Sequence, residues 1–375
     1  MQTRAAVLRT AEAERPYDQS RPLAIETFEL AEPRPGEVLL KIRAAGLCHS
    51  DLSSINGNRP RPTPMVLGHE AAGEIIAVGD GVSNFAVGDH VVCSFVPSCG
   101  HCDYCADGRA ALCTPGAAAN NAGTLLGGDF RLSQNGDDIY HHLGVSGFAE
   151  HAVVATESLV KIDPELPFEV AAVFGCAVLT GVGALLKTAR MTLGQSVLVV
   201  GLGGVGLSAV LGAIAGGAAQ VIAADIDDEK LAKARELGAT ATINTRDDDA
   251  LEQVQQLSGG GVDLAAEFAG VAAALEFAFE ATGKGGTTVT AGLQHPDARM
   301  ALPALKLVAQ ERSLLGSYLG GHVPKLDIPE YIALYQAGRL PVDKLLTHRL
   351  TLDEINTGFE RLAAGEAIRQ VIVFD

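Results

Sequence analysis

The stretch from Ser196 to Asp225 reads SVLVVGLGGVGLSAVLGAIAGGAAQVIAAD, and the interpretation of the chain starts from it. Its opening VLVV is apolar and rich in β-branched residues, which is typical of a strand buried on both faces. A helical run of Ala, Leu and Gly follows, and a second apolar run ends at Asp225. This order predicts a strand, a helix and a second strand within a parallel sheet.

The glycine-rich loop between the first strand and the helix has the spacing G-x-G-x-x-G. In this pattern Gly201 permits a tight turn, Gly203 lets the backbone approach a pyrophosphate, and Gly206 lets the helix pack closely on the strand. The N–H groups and the dipole at the start of the helix stabilise the phosphate charge. We therefore predict a dinucleotide site whose loop residues are Gly201, Gly203, Gly204, Val205 and Gly206.

The acidic residue at the end of the second strand indicates which dinucleotide binds. The Asp225 carboxylate can accept hydrogen bonds from the ribose hydroxyls, and it would repel a 2′-phosphate. Ile226 follows it, where an arginine would otherwise accommodate that phosphate. The sequence therefore predicts NAD rather than NADP.

A membrane span is the alternative for the same stretch, because no charged residue lies between Arg190 and Asp225. A span needs about 20 unbroken apolar residues. Here glycines divide the apolar text into pieces of strand and helix size, which favours the soluble interpretation.

Composition limits the class of protein further. The chain has 375 residues, which is too long for one ordinary core, so two domains are expected. A net charge of −17 disfavours binding to nucleic acid or to an anionic membrane. The N-terminus shows no basic segment followed by an apolar one, so we expect a cytoplasmic protein.

Cysteines crowd into one short region, and their spacing is Cys99-x2-Cys102-x2-Cys105-x7-Cys113. Four thiolates so spaced can surround one Zn²⁺ ion, and a site without an open coordination position is structural. Disulfides or free thiols are the alternative, but cysteines two residues apart are poorly placed to bridge each other. We predict a structural zinc lobe at about residues 95–115.

Two further zinc-type ligands, Cys48 and His69, lie far apart in the chain, so only the fold could bring them together. Taken alone, each is better explained as a core residue. However, His69 stands in the string Gly68-His69-Glu70-x-x-Gly73-x5-Gly79. This string and the cysteine lobe resemble the zinc-containing medium-chain dehydrogenase/reductase family, in the alcohol dehydrogenase branch that carries a catalytic and a structural zinc.

The resemblance covers nearly the whole chain and implies a fold with two domains. A GroES-like β-rich catalytic domain would comprise residues 1–177 and 321–375, and a Rossmann NAD-binding domain, a doubly wound parallel sheet, would be inserted at 178–320. The catalytic zinc would be held by Cys48, His69 and Cys176, a ligand set for which alcohol dehydrogenase is the standard example.

The resemblance also implies roles for individual residues. Asp51 and Glu70 match carboxylates that support the zinc ligands, and Ser50 matches the hydroxyl that passes on the substrate proton. Residues matched to the cofactor are His49 and Arg369 at the pyrophosphate, Asp225 and Lys230 at the ribose, and Thr180 near the nicotinamide. The implied reaction is reversible oxidation of a small alcohol to an aldehyde or ketone by NAD, in a homodimer or homotetramer. Ser53 departs from the family, because many relatives have a histidine there that completes the proton path.

Two other functions stay open at this point. A formaldehyde dehydrogenase that acts on a thiol adduct would have the same zinc site and a different pocket. A non-catalytic NAD-binding protein would keep only the structural zinc.

Three local expectations can be compared directly with the structure. Residues 114–147 are rich in Gly, Asn and Asp and predict irregular surface structure. The pair His141 and His142 is expected to be solvated or to line a pocket rather than to bind metal. Cys176 is expected just before an amphipathic helix that runs into Thr188.

Overall fold

The computed structural model describes residues 1–321 and 323–375, and it has an α/β architecture with several sheets. The strands of the described residues, in chain order, are β1 (Gln2–Leu8), β2 (Leu23–Leu30), β3 (Glu37–Gly46), β4 (Met65–Val66), β5 (Glu70–Val78), β6 (His90–Cys93), β7 (Leu132–Gln134), β8 (Asp137–His141), β9 (His151–Ala155), β10 (Leu159–Lys161), β11 (Ser196–Val200), β12 (Gln220–Asp225), β13 (Ala241–Asn244), β14 (Val262–Glu267), β15 (Thr282–Thr290), β16 (Ser313–Gly316), β17 (Leu346–Leu350) and β18 (Arg369–Val373).

The helices of the same residues are α1 (Tyr17–Ser20), α2 (His49–Ile55), α3 (Asp103–Ala106), α4 (Thr114–Ala122), α5 (Phe168–Val173), α6 (Leu179–Gly183), α7 (Gly204–Ala215), α8 (Asp228–Glu236), α9 (Ala250–Ser258), α10 (Ala272–Ala281), α11 (Ala304–Ala309), α12 (Pro324–Gln336) and α13 (Ile355–Ala364). Short 3-10 and π-helical turns connect some of them.

The stretch that opened the sequence analysis folds as predicted, into β11, α7 and β12. These strands belong to a parallel sheet of order β13-β12-β11-β14-β15-β16. β11 pairs with β12 along one edge and with β14 along the other. Its apolar side chains are buried on both faces of the sheet. The strand order reverses between β11 and β14, the place where ligands bind to doubly wound sheets. The predicted Rossmann-type fold is confirmed.

The β-rich part contains a closed barrel and a second, largely antiparallel sheet. In that sheet β3 lies between β5 and β18, with Gly46 opposite both Glu70 and Val371. This register brings the end of β3, the start of β5 and the start of β18 to the same edge. The residues just beyond these strand ends therefore converge although they are distant in sequence.

The chain divides into two compact units, which differ in extent from the predicted domains. One unit contains residues 1–176, 323–330 and 346–375, and the other contains 177–322 and 331–345. Apart from one or two residues at the boundaries, the difference is the segment 331–345, which the sequence placed with the catalytic domain. This segment packs within the second unit, where Arg339 Nη2 donates a hydrogen bond to the carbonyl of Ala215 at 3.1 Å.

The helix around Cys176 begins earlier than expected. Helical structure runs from Phe168 to Thr188, and Cys176 lies inside it, in a π-helical turn at Phe174–Val178. The helix continues through Gly175. This residue is a glycine because a Cβ there would lie only 2.1 Å from the carbonyl oxygen of Cys93. The glycine is required for close packing on β6, and the expectation that Cys176 precedes the helix was wrong.

That helix is long and apolar enough to cross a membrane, but most of it is buried inside the protein. It is therefore a core helix of this fold. The stretch with no charge between Arg190 and Asp225 is divided among β11, α7 and β12, which removes the reason for considering it a span.

Residues 114–147 are more ordered than their composition predicted, since they form α4, β7 and β8. His141 and His142 were expected to be solvated or to line a pocket. Each is only 1% exposed, so the first of these alternatives was wrong. Strand pairing explains the difference, because β8 lies between β7 and β4 in the barrel and carries this segment into the interior.

Candidate metal centres and nucleotide-binding loop

The first candidate site lies where β3, β5 and the helix containing Cys176 meet. Cys48 follows β3, His69 precedes β5, and ligand atoms of Cys48, His69, Glu70 and Cys176 all lie within 4.8 Å of one another. All four side chains are buried. The structure thus brings together the residues that the sequence could only match to a family pattern. π-helical turns such as the one that holds Cys176 are frequent at functional sites.

The orientation of His69 leaves one ring nitrogen available for a metal. Its Nδ1 lies 3.1 Å from Asp51 Oδ1, while its Nε2 is buried and has no hydrogen-bond partner among the described residues. Asp51 in turn accepts hydrogen bonds from the backbone N–H of Cys48 and Gly68. A carboxylate on the far nitrogen is the usual partner of a metal-binding histidine. The two thiols and the imidazole, whose Nε2 has no hydrogen-bond partner among the described residues, form a ligand set that fits a zinc ion.

The charges of the cluster agree with this fit. The Cys176 hydrogen bond and His69 hold the pKa of the Cys48 thiol well below its usual value, although burial opposes the shift. Burial also opposes the charged form of His69, but Asp51 and Cys48 raise its pKa to about 10. The lowered pKa of Cys48 favours the thiolate, which is the form that binds a metal. Metal binding would release the proton that Asp51 and Cys48 favour on His69, since metal ligands bind in their deprotonated form.

Glu70 and Arg369 form a buried ion pair beside this cluster, with exposures of 0% and 4% for the two side chains. Gly46 makes room for the pair, because a Cβ there would lie 2.6 Å from Glu70 Oε2 and 3.1 Å from Arg369 Nη2. The Arg369 guanidinium thus faces a carboxylate near the metal ligands. Its predicted role at a pyrophosphate stays a prediction.

The second candidate site is the cysteine lobe. The sulfur atoms of Cys99, Cys102, Cys105 and Cys113 lie within 4.8 Å of one another, and no disulfide joins cysteines within the described residues. Backbone N–H groups point at the sulfurs, as from Gly116 to Cys113 Sγ at 3.4 Å. Backbone hydrogen bonds lower the pKa of Cys102 to about 6. Burial raises the pKa of Cys105 to about 12 and also raises that of Cys113. The close grouping of four sulfurs without a disulfide therefore carries the assignment, and it fits a structural zinc better than the disulfide alternative.

The glycine-rich loop has the geometry that the motif requires. Gly201 has a φ of +88°, and a Cβ there would lie 2.5 Å from Ala269 N. A Cβ on Gly206 would lie 1.8 Å from the Gly201 carbonyl oxygen. At Gly203 a Cβ would meet nothing within 4 Å in the described part of the chain. Two of the glycines thus permit backbone packing, and the third leaves open space before α7.

The remaining predicted cofactor residues have varied surroundings. The Asp225 carboxylate is 8% exposed and accepts hydrogen bonds from the backbone N–H of Leu202 at 2.6 Å and of Asp227 at 3.1 Å. Lys230 Nζ lies 3.8 Å from Asp227 Oδ2. Gly204 and Val205 open α7, Thr180 is half-buried on α6, and His49 and Ser50 begin α2. Asp225 therefore orders the glycine-rich loop directly, a role that the motif alone does not show.

Two buried polar residues near these sites have surroundings that the sequence did not predict. His142 Nδ1 lies 3.2 Å from Asp51 Oδ1. Glu267, at the end of β14, is fully buried and accepts hydrogen bonds from Gly270 N and from the Thr290 hydroxyl, each at 2.6 Å. An acid that ends an apolar strand was a usable signal for Glu267, as it was for Asp225. No local pattern predicted that His142 lies beside Asp51.

Comparison with known proteins agrees with this geometry. Residues 34–164 match the family model described as the alcohol dehydrogenase GroES-like domain, and residues 204–337 match the one described as zinc-binding dehydrogenase. The chain is 41% identical over 376 residues to an NDMA-dependent alcohol dehydrogenase of Amycolatopsis methanolica, a match that covers 100% of this chain and 99% of the relative.

The chain belongs to the zinc-containing medium-chain alcohol dehydrogenase family.

Solved structures of the family superpose closely on this member. An alcohol dehydrogenase zinc-binding domain protein from Burkholderia ambifaria has a TM-score of 0.94 at 34% identity, over 100% of this chain and 99% of that one. The benzyl alcohol dehydrogenase of Acinetobacter calcoaceticus has a TM-score of 0.93 at 32% identity, with 100% of both chains covered. Family membership supports zinc as a cofactor and an oxidoreductase function.

Proposed function

We propose that the protein is a zinc-dependent alcohol dehydrogenase that transfers a hydride from an alcohol to NAD. The observation that carries the proposal is the buried cluster of Cys48, His69 and Cys176, in which His69 Nε2 has no hydrogen-bond partner among the described residues. Such a ligand set leaves a coordination position for the substrate, and so it is catalytic rather than structural. The Cys99–Cys113 lobe would hold the structural zinc.

Zinc, when bound, lowers the pKa of an alcohol hydroxyl, and NAD accepts the hydride. The residues of the chain prepare the site for these steps. Asp51 accepts the Nδ1 hydrogen of His69, so the ring presents Nε2 as its ligand atom. Arg369 compensates the negative charge of the buried Glu70 carboxylate beside the zinc ligands. Ser50, two residues after Cys48, would take the alcohol proton and pass it on.

Ser53, which stands where relatives have a histidine, is committed to the helix backbone. Its hydroxyl donates a hydrogen bond to the carbonyl of His49 at 2.8 Å. A hydroxyl so engaged is a poor terminal base, which supports a proton path that leaves through the cofactor ribose and water.

For the cofactor we propose NAD, held by the loop Gly201–Gly206 with Asp225, Lys230, Thr180, His49 and Arg369. The open space at Gly203 and the N-terminus of α7 support a phosphate site there. The position of Asp225 supports NAD over NADP.

A second electron acceptor has to be considered because of one relative. The Amycolatopsis methanolica protein, 41% identical to this chain, is named an NDMA-dependent alcohol dehydrogenase. This likeness favours an enzyme that uses NDMA in place of free NAD as the final acceptor. The two possibilities share the same zinc site and differ only in the acceptor that is consumed.

For the substrate we propose an apolar primary or aromatic alcohol. Phe95 supports this choice, since its ring packs edge-on against His69 with centroids 5.4 Å apart. The solved benzyl alcohol dehydrogenase, 32% identical, supports it as well. We also propose a cytoplasmic homo-oligomer that binds no nucleic acid or membrane, in keeping with the net charge of −17 and with β16 as an edge strand.

The test is a panel of ethanol, longer primary, secondary and benzylic alcohols, each with NAD or with NDMA, before and after removal of exchangeable zinc. NADH formation that a chelator abolishes is the expected result. Consumption of NDMA without added NAD would favour the second acceptor. If formaldehyde were the only substrate, and if it reacted only in the presence of a low-molecular-weight thiol, the protein would instead be the thiol-adduct formaldehyde dehydrogenase. No turnover and a zinc content of about one ion per chain would indicate a protein with structural zinc only.

A further inference from the structure

His142 is buried against the carboxylate that supports the His69 ligand. Its ring is 1% exposed and meets the His69 ring edge-on, with centroids 5.5 Å apart and an interplanar angle of 79°. Its Nδ1 lies 3.2 Å from Asp51 Oδ1. The approach is not well aligned for a hydrogen bond, but no other partner is found for this buried nitrogen among the described residues. Asp51 is therefore the polar group that His142 Nδ1 contacts.

Both carboxylate oxygens of Asp51 have hydrogen-bond partners. Its Oδ1 lies 3.1 Å from His69 Nδ1 and accepts the Gly68 N–H, also at 3.1 Å, while its Oδ2 accepts the Cys48 N–H at 3.2 Å. His142 adds a second imidazole to Oδ1. Both imidazoles approach the same oxygen, so a shift of the carboxylate away from His69 would also change its contact with His142.

The segment that delivers His142 is strained and firmly anchored. Leu143 has a φ of +52° and Ser146 a φ of +53°, in the left-handed region that non-glycine residues rarely adopt. Ser146 Oγ accepts the His142 N–H at 3.0 Å, and Gly147 N–H bonds to the carbonyl of Gly68 at 2.8 Å. Backbone strain of this kind persists where the surroundings over-determine it, and it clusters at functional sites. The anchor here is the residue directly before His69.

We propose that His142 is a positioning residue that acts through Asp51 to hold His69 Nε2 towards the catalytic metal. The proposal rests on the proposed function, since it needs zinc at the cluster of Cys48, His69 and Cys176. The physical reason is that partners of a metal-ligating histidine set its tautomer and ring orientation, and their loss typically reduces metal affinity by about 10- to 100-fold. Asp51 supports the His69 ring in this way, and His142 in turn supports the Asp51 carboxylate.

The neighbouring His141 provides a matched control. It is equally buried, at 1% exposed, and it belongs to the same strand end. Its Nε2 accepts the Arg131 N–H at 3.1 Å, and its Nδ1 lies 3.5 Å from Ser146 Oγ. Replacing His141 should therefore disturb packing to a similar extent without touching Asp51.

The experiment measures the release of zinc from the full-length protein to a chromogenic chelator, without alcohol or cofactor. The variants are His142→Phe, which keeps the ring and loses the donor, His142→Asn, which keeps a donor near the Nδ1 position, and His141→Leu. We expect His142→Phe to release the catalytic zinc about 10-fold faster or more. His142→Asn should recover most of the wild-type rate, and the structural zinc should be unaffected throughout.

Cobalt substitution gives an independent readout, because the visible spectrum of the bound ion reports its ligand geometry. The spectrum of His142→Phe should differ from that of the wild type, and the spectrum of His141→Leu should not. Should His142→Phe fail to fold, His142→Leu carries the same test.

Zinc release from His142→Phe at the wild-type rate, or equal acceleration in His141→Leu, would overturn the inference. A wild-type protein that binds zinc normally but oxidises no alcohol would refute the proposed function and leave the metal-release comparison valid. The two failures are thus distinguishable.

Discussion

At the scale of single residues, the glycine-rich loop shows how similar residues serve different ends. A methyl group at Gly206 would collide with the carbonyl oxygen of Gly201, whereas one at Gly203 would point into open space. The backbone of Gly203 has a φ of −72° and a ψ of −171°, which any residue can adopt. Folding therefore requires Gly206, and only a ligand that approaches the backbone would require Gly203.

We expect Gly206→Ala to destabilise the fold more than Gly203→Ala, and Gly203→Ala to weaken nucleotide binding. An added methyl group in a close helix–strand contact costs about 1–3 kcal/mol or more, whereas alanine in place of glycine at a helix N-cap costs about 1 kcal/mol or less. Thermal unfolding followed by circular dichroism measures the first effect. NADH fluorescence measures the second, without a tryptophan background, since the chain has no Trp.

A dissociation constant for NADH that is unchanged in Gly203→Ala would argue against phosphate binding at this loop. A Gly206→Ala protein as stable as the wild type would contradict the packing role of that glycine.

At the scale of elements, the cysteine lobe and Cys93 differ in what surrounds the sulfur. The four lobe thiols lie close together with backbone N–H groups directed at several of them. Cys93 is fully buried among apolar residues and belongs to no group of potential metal ligands within the described residues. The grouped sulfurs of the lobe fit a cation, and Cys93 is a core residue.

We expect Cys105→Ser to lose about one zinc ion per chain, because a tetrahedral thiolate site seldom survives the loss of a ligand. Cys93→Ala is the control and should keep the full zinc content. Metal analysis after gel filtration measures both. Equal zinc contents in Cys105→Ser and the wild type would contradict the assignment of the lobe.

A buried ion pair joins β3 to the segment before β7. Arg131 donates from Nε and Nη2 to the two oxygens of Glu37, each at 2.7 Å, and both side chains are almost fully buried. Such a pair contributes little net stability, but removing one partner leaves a buried charge unbalanced. Asp129, 3.7 Å from Arg131 Nη2, compensates only in part.

We expect Glu37→Gln to lower the free energy of unfolding by roughly 3 kcal/mol. The double variant Glu37→Gln with Arg131→Met should regain much of that loss, because no buried charge then remains. Denaturant titration measures both proteins. A double variant less stable than Glu37→Gln would contradict this account.

At the scale of the whole molecule, buried histidines make stability depend on pH. Burial lowers the pKa of His141 to about 3 from an ordinary 6.5, and burial also lowers the pKa of His142 and His151. Between about pH 6.5 and 3 the unfolded chain therefore binds a proton at His141 that the folded chain does not. The sign follows from linkage: this contribution is present above pH 6.5 and decreases as the pH falls.

We expect the free energy of unfolding to fall with pH below 6.5, with up to about 1.4 kcal/mol per pH unit from His141. His141→Gln should be less stable at pH 7 and should show a shallower decline. Comparing the two proteins by denaturant titration from pH 7 to 4.5 cancels losses common to both. A difference in stability that does not vary with pH would contradict the prediction.

The sequence alone determined the fold family and predicted the glycine-rich loop as a dinucleotide site and the cysteine cluster as a metal lobe. Each rests on residues that lie near one another in the chain, so their spacing carries the geometry. Gly201, Gly203 and Gly206 share one turn, and the cysteines from Cys99 to Cys113 share one short loop. Cys48, His69 and Cys176 were recognisable only through the family pattern.

Tertiary structure decided what depends on pairing and burial between distant segments. The register that sets Gly46 opposite Glu70 brings Cys48 and His69 together. The pairing of β8 within the barrel buries His141 and His142 and carries His142 to Asp51. Close packing of Gly175 on β6 places Cys176 inside a helix that the sequence predicted to begin after it. Hydrogen bonding and excluded volume act between segments irrespective of their separation in the chain, so local spacing could not reveal these contacts.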